Sequence, residues 1–188
     1  MESRENRTFN RENVSEQSFS SVKFSECNFE NCTFLEHDFR GSHFFECCFK
    51  GCNLHMVKIE GCRFQDVLFE ECKIVGGEFF KCDKRFFSPR FKSCVLMGCN
   101  FSNLKMKQTS FLSSKVKECY FNETYLIEAN FQESDLEGSV FHHADLTRDD
   151  FRNAKNYSIN PEVNILKRAH FSIPDALALL NFFDIQIS

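Results

Sequence analysis

The eleven cysteines are the residues of this 188-residue chain with the widest range of chemistry. As thiolates, cysteines can bind zinc, act as nucleophiles or form disulfides. The sequence contains no Cys-x-x-Cys pair with matching histidines, and His142-His143 does not make a metal site by itself, so we predict no zinc site. A polar N-terminus and the lack of an apolar stretch of about 18 residues predict a cytoplasmic protein, without a membrane partner, whose thiols stay reduced.

Catalytic motifs are also missing from the sequence. We find no nucleophile next to a base, no glycine-rich phosphate loop and no carboxylate pair that stands apart from the repeat described below. The sequence therefore predicts neither an enzyme nor a bound cofactor.

The spacing of the cysteines instead points to a repeated backbone element. Cys32, Cys52 and Cys72 are twenty residues apart, and 25 phenylalanines follow a shorter period of five. Every fifth residue from Phe9 through Val14 to Phe79 is apolar, and the series resumes at Phe86 and continues to Phe151. This pattern predicts a two-residue insertion within residues 80–85. A period of five matches neither a helix nor an ordinary strand, so it indicates a coiled backbone that turns every five residues.

A small residue lies two places before most of these central apolar residues. We call this position the niche. Its members are Cys27, Cys32, Ser42, Cys47, Cys52, Cys62, Cys72, Cys94, Cys99, Cys119, Ala129, Ser134, Ser139 and Ala144. A large central side chain beside a small niche side chain would fill a narrow tube to protein density. We therefore interpret the cysteines as packing residues.

The segments Ala129-Asn130-Phe131-Gln132-Glu133 and Ser134-Asp135-Leu136-Glu137-Gly138 resemble the consensus of the pentapeptide-repeat family. The resemblance extends over roughly residues 7–171. It implies an all-β fold, a right-handed quadrilateral parallel β-helix with four five-residue faces per coil and about eight coils. Columns of like residues twenty apart, such as Phe91, Phe111 and Phe131, also favour four sides. We predict that residues 1–171 form this β-helix.

Residues 172–188 show a different pattern, which predicts a cap for the end of the rod. Ser172-Ile173-Pro174-Asp175 is typical of a helix start with a capping hydroxyl at Ser172, and Asp184–Ile187 alternates as in a terminal strand. The apolar residues that follow the helix start would either cover the core or form a dimer interface. These residues are Leu179, Leu180, Phe182, Phe183, Ile185 and Ile187.

The C-terminal region also resembles a particular group within this family. Asn160-Pro161 followed by Leu166, Ala169 and Phe171 is similar to the end of the Qnr and MfpA proteins. This resemblance implies an end-to-end homodimer that imitates duplex DNA, with DNA gyrase or topoisomerase IV as partner and quinolone resistance as a consequence. Proteins of that group carry substantial loops that interrupt the rod, whereas this sequence shows only the small insertion, so protection is less clearly implied than binding.

The charges vary along the chain in a way that bears on this implied function. Residues 118–151 carry nine acids and one base, although the net charge of the whole chain is only −4. Glu118, Glu123, Glu128 and Glu133 each follow a central residue by two places, so we predict an acidic belt on four corners of one coil. The predicted belt is completed by Asp135, Glu137, Asp145, Asp149 and Asp150. The alternatives are a solvated surface and, for the function, an interaction scaffold unrelated to gyrase.

Residues 81–117 have the opposite composition, with nine bases and one acid. Direct nucleic-acid binding is not favoured, because no nucleic-acid module or interleaved exposed aromatics accompany the bases. The insertion within this segment is either a tolerated bulge or a recognition loop. With Phe86 as a central residue, we predict that Lys84, Arg85 and Phe87 are exposed and could contact a partner.

Overall fold

The computed structural model describes residues 1–10, 19–183 and 185. Val14 of the predicted series, Ile187 of the predicted interface and most of the predicted terminal strand lie outside these residues. The described chain is a four-sided parallel β-solenoid of about eight coils, which confirms the predicted fold class. Among the described residues, no helix is long and apolar enough to cross a membrane.

Most strands are only three residues long, because the backbone must turn after every five residues. The strands are β1 Glu2–Glu5, β2 Thr8–Asn10, β3 Val22–Ser25, β4 Asn28–Glu30, β5 Thr33–Leu35, β6 His43–Phe45, β7 Cys48–Lys50, β8 Asn53–His55, β9 Arg63–Gln65, β10 Leu68–Glu70, β11 Lys73–Val75, β12 Arg90–Lys92, β13 Val95–Met97, β14 Lys115–Lys117, β15 Val140–Phe141, β16 Asp150–Phe151, β17 Ser158–Ile159 and β18 His170–Phe171.

These strands stack into parallel sheets along the sides of the rod. The larger sheets have the orders β1-β3-β6-β9, β12-β10-β7-β4-β2 and β14-β13-β11-β8-β5. The register is twenty residues per coil, as in the pairs Phe29 with Phe49 and Phe49 with Phe69. We number the faces by their central residues: Phe131 lies on face 1, Leu136 on face 2, Phe141 on face 3 and Leu126 on face 4.

The interior of the rod is a stack of central side chains. On face 1 the rings of Phe29 and Phe49 are parallel, with centroids 4.4 Å apart, and this stacking continues along the rod to Phe151 and Phe171 at 5.1 Å. Rings on opposite faces also meet across the interior edge to face, as Phe111 and Phe121 do at 90°. Each fully buried ring contributes about 1.5–3 kcal/mol through removal of apolar surface from water. Repetition of this contact stabilises the solenoid along its whole length.

The insertion begins after Asp83 and changes which phenylalanine enters the core. Asp83 still occupies the regular position, with its N–H donating to the Cys62 carbonyl, but Phe87 rather than residue 84 pairs with Phe64. The net shift is two residues by Arg90, which pairs with Leu68. The register therefore changes by two residues between Asp83 and Arg90.

The predicted roles of the two adjacent phenylalanines were wrong. Phe87 is only 6% exposed and belongs to the core, whereas Phe86 is half-buried on the outside. The intervening residues form the 3₁₀ helix Lys84–Phe86, which Asp83 caps by accepting a hydrogen bond from the Arg85 N–H. Phe86 is held outside the core because its ring packs under the Arg63 guanidinium, 4.6 Å from the centroid.

The C-terminal end closes with a 3₁₀ helix, Asp175–Phe182. The short helix is as predicted, but the capping role of Ser172 is wrong: the helix begins after Pro174 and has no side-chain cap. The Ser172 Oγ instead accepts a hydrogen bond from the Asn153 N–H at 3.1 Å. Leu166, Phe171, Ala178 and Leu179 pack against the end of the core.

Candidate protein-binding surface

The four glutamates of the predicted belt occupy the corners of one coil. Glu118, Glu123, Glu128 and Glu133 have φ values of 53°, 52°, 63° and 59°, so each lies in the left-handed region where the chain turns. The corner N–H groups are tied to the next coil, for example Glu123 to the His142 carbonyl at 2.8 Å. Glu118, Glu123 and Glu133 are exposed and Glu128 is half-buried.

Basic neighbours compensate part of the predicted acidic belt. Glu128 pairs with Arg148 at 2.5 Å, and Lys117 contacts both Glu137 at 2.5 Å and Asp135 at 3.4 Å. Such surface pairs are worth little in stability, but they reduce the negative field that a partner would meet. These acids therefore attract a basic partner less strongly than the composition of the segment suggests.

The negative charge of Asp150 is compensated by an arginine on the same face of the rod. The Arg152 guanidinium binds its carboxylate at 2.6 Å. The hydrogen bond from Arg152 lowers the pKa of Asp150 below its ordinary value, so this acid stays ionised but paired.

Three corner glutamates keep an uncompensated charge. Within the described residues, Glu118 and Glu123 have no ion pair, and Glu133 accepts a hydrogen bond from the neutral Ser113 Oγ at 2.8 Å. We call Glu118, Glu123 and Glu133 the acidic arc. Asp145, which is half-buried and accepts a hydrogen bond from the Thr147 N–H at 3.1 Å, lies one coil further along face 4.

Asp149 does not belong to the surface, so its place in the predicted belt is wrong. Its side chain lies in the niche and is 0% exposed. Oδ1 accepts a hydrogen bond from the Ala129 N–H at 2.9 Å, while Oδ2 has no partner among the described residues. Burial raises the pKa of Asp149 to about 8. Asp149 lies two residues before Phe151, so the niche rule would have placed it inside.

The cysteines line the rod as the repeat suggests. Ten are buried and Cys48 is half-buried. Most of the buried Sγ atoms contact backbone carbonyls of the preceding coil, as Cys72 does with Phe49 at 3.2 Å. Burial raises the pKa of Cys47 to about 12, so this thiol is a packing group and a weak nucleophile.

The insertion exposes two of the three residues that we expected there. Lys84 and Arg85 face solvent, and Arg85 pairs with Asp83 at 3.2 Å. Phe86 takes the outer position expected for Phe87. A partner could therefore contact a cationic pair next to a half-buried ring.

The C-terminal end of the rod carries more apolar side chains than those that cover the core. Leu179 packs on the core of its own rod, and Leu180 and Phe182 are half-buried. Ile173, Leu177, Phe183 and Ile185 are exposed. The cap thus leaves apolar side chains facing outward.

The sequence interpretation overlooked two exposed tyrosines near the acidic arc. Tyr120 and Tyr125 precede the central residues Phe121 and Leu126, in positions that are polar in most repeats. The signal was present, because an aromatic residue at an outward-facing repeat position is unusual in this chain.

Comparisons with known proteins agree with this architecture. The model of the pentapeptide repeat region matches residues 22–85 and the model of pentapeptide repeats matches residues 118–155, together more than half of the chain. No curated protein matches the sequence significantly.

Solved structures of two trypsin-treated variants of QnrB1, a plasmid-mediated fluoroquinolone resistance protein, are similar in fold. They superpose with TM-scores of 0.67 and 0.74 at 16% and 14% identity, covering 100% of this chain and 98% of each QnrB1 chain. With this fold and these two family matches, the chain belongs to the pentapeptide-repeat family.

Proposed function

We propose that this protein binds a type II topoisomerase, DNA gyrase or topoisomerase IV, as a partial mimic of duplex DNA. The observation that carries the proposal is the acidic arc: three exposed carboxylates at the corners of one coil without an ion pair in the described structure. Duplex DNA presents a dense row of negative charge, and a surface that binds it is correspondingly basic. Binding rather than catalysis is the activity that we infer.

Dimerisation through the C-terminal end would strengthen this mimicry. The acidic arc lies two to three coils from that end, roughly 10–15 Å at the usual strand spacing. An end-to-end dimer would bring two arcs together around a two-fold axis. The exposed Ile173, Leu177 and Phe183 supply apolar surface for such a contact.

Support for an effect on quinolone action comes from the QnrB1 likeness, since QnrB1 is a fluoroquinolone resistance protein. We extend that effect to this chain as part of the proposal, and we place the protein in the cytoplasm with its cysteines reduced.

A supercoiling assay tests the proposal directly. Purified protein is titrated into DNA gyrase with and without a quinolone, beside the triple variant Glu118→Gln, Glu123→Gln, Glu133→Gln. We expect the wild type to inhibit supercoiling or to restore it in the presence of the drug, and the variant to need about tenfold more protein because the charge complementarity is lost.

The chain offers a matched control for this experiment. Glu26, Glu36 and Glu46 are also exposed corner glutamates, with φ values of 53°, 49° and 51°, but they lie in the N-terminal coils. The triple glutamine variant at these positions removes the same charge and should stay within about twofold of the wild type. No effect of the wild type at high excess would contradict the topoisomerase proposal.

The second candidate function is an interaction scaffold for a partner unrelated to gyrase. The insertion favours this function, because the exposed Lys84 and Arg85 lie next to Phe86. Their positive charges do not fit a surface that imitates the negative charge of DNA. The same assay separates the two functions, because a scaffold of this kind would leave supercoiling unchanged.

A further inference from the structure

Both exposed tyrosines of the chain lie on the same coil as the acidic arc. Tyr120 is 44% exposed on face 3 and Tyr125 is 54% exposed on face 4, whereas the third tyrosine, Tyr157, is buried. Neither exposed hydroxyl has a hydrogen-bond partner among the described residues. Ring stacking and hydroxyl hydrogen bonds among the described residues therefore do not account for these two tyrosines.

Carboxylates alternate with the two rings around the rod. Glu118 lies at the corner between faces 2 and 3, Tyr120 on face 3, Glu123 at the corner between faces 3 and 4, and Tyr125 on face 4. We call these four residues the tyrosine ridge. Parallel bridges join Tyr120 to Val140, which is also exposed, and Tyr125 to Lys105 and Asp145. The ridge is therefore an aromatic surface framed by acids.

Neighbours at equivalent positions show that the fold does not require tyrosine there. The residues that bridge to the two tyrosines from the preceding coil are Asn100 and Lys105. An exposed aromatic ring is instead suited to binding, since tyrosine is enriched among residues that dominate interface energies and loses little side-chain entropy on contact.

We propose that the tyrosine ridge anchors a protein–protein interface with an arginine- or lysine-rich partner surface. Tyr120 and Tyr125 supply buried contact area and ring faces for guanidinium groups, and Glu118 and Glu123 supply the opposite charge. This inference rests on the proposed function and narrows it, because it assigns the topoisomerase to the edge between faces 3 and 4.

A deca-arginine peptide serves as a probe of the ridge that does not depend on gyrase. The 188-residue chain has no tryptophan, so its ultraviolet fluorescence reports on its three tyrosines. We expect the peptide to change this emission saturably. Calorimetry should show about tenfold weaker binding for the variant Tyr120→Ala, Tyr125→Ala, while Tyr120→Phe, Tyr125→Phe stays within about threefold of the wild type.

The control for general electrostatic attraction is Glu26→Gln, Glu46→Gln, which should bind the peptide as the wild type does. The ridge is overturned if the alanine variant binds the peptide as tightly as the wild type does. It is also overturned if the control variant loses as much affinity for the peptide as the alanine variant. The same variants are then measured against gyrase.

If wild type does not bind gyrase but the peptide still requires the tyrosines, the topoisomerase proposal fails and the ridge stands. If the alanine variant binds gyrase as tightly as the wild type, the ridge is overturned and the topoisomerase proposal stands.

Discussion

The two halves of the rod build the same coil with different backbone pairing. Residues 19–97 stack mainly as strands of three or four residues such as β7 and β10. Residues 98–159 contain only β14 at that length and otherwise pair through two-residue strands or single bridges such as Ser110 with Asn130. The central rings nevertheless stack equally well: Phe49 and Phe69 are 4.9 Å apart, and Phe111 and Phe131 are 4.8 Å apart.

The niche residues also differ between the halves but make an equivalent contact. Cys52 contacts the Phe29 carbonyl through Sγ at 3.2 Å, and the Ser134 Oγ donates to the Phe111 carbonyl at 2.6 Å. Both links join a niche residue to a carbonyl 23 residues earlier. The comparison teaches that central rings, niche contacts and single backbone hydrogen bonds between coils persist where continuous three-residue ladders do not.

The largest expected effect comes from removing a stacked ring in each half. Phe49→Ala and Phe111→Ala should each lower the free energy of unfolding by about 3–5 kcal/mol, because each deletes a fully buried ring and leaves a cavity between two parallel rings. Chemical denaturation of the two variants measures this loss. A much smaller loss of stability for Phe111→Ala would contradict this equivalence. It would show that residues 98–159, which pair mainly through single bridges, can collapse around the cavity.

The next effect concerns Asp149, whose carboxylate lies in the niche. Asp149 has a pKa of about 8 in the folded protein against about 3.9 when unfolded, so the native state holds a proton that the unfolded chain loses. Stability should therefore fall as the pH rises from about 4 to 8. Asp149→Asn should remove this loss and stabilise the protein by roughly 2–4 kcal/mol at pH 7, measured by denaturation at several pH values.

Asn164 is the matched control for that prediction, because it fills a niche with the same geometry. Its Oδ1 accepts from the Ala144 N–H at 2.9 Å, while Nδ2 donates to the Phe141 carbonyl at 3.0 Å. Asn164→Asp should destabilise the protein and introduce a fall in stability above pH 4. Identical pH profiles for wild type and Asp149→Asn would contradict the burial of an acid at residue 149.

The smallest expected effect is the difference in stability loss between a cysteine and a serine at the niche position. Cys72→Ala removes a buried sulfur and is expected to cost about 1–2 kcal/mol through lost packing, whereas Ser134→Ala removes mainly one hydrogen bond and should cost about 1 kcal/mol. Thermal and denaturant unfolding of both variants measure the difference. A larger loss at Ser134 would mean that hydrogen bonding rather than volume dominates in the niche.

The sequence predicted the fold well because its signal repeats in every coil. A single irregular repeat, such as one with a polar residue at the central position, is outweighed by the regular repeats on either side of it. The candidate surface was less predictable. Asp149 was assigned to the belt by its charge although its position indicated the niche. Tyr120 and Tyr125 carry neither a charge nor a motif, so only their departure from the polar residues of other repeats marks them.

The period of five by itself determined a backbone that turns at that interval, since a large group every fifth residue can be buried only in this way, and the columns of like residues twenty apart favoured four sides. Tertiary structure decided which side chain entered the core at the insertion, because a shift of two residues points to Phe86, whereas Phe87 pairs with Phe64 and the Phe86 ring packs against Arg63 outside. It also decided which carboxylates stay uncompensated, because pairs such as Arg148 with Glu128 form between coils and depend on how neighbouring side chains reach across the surface.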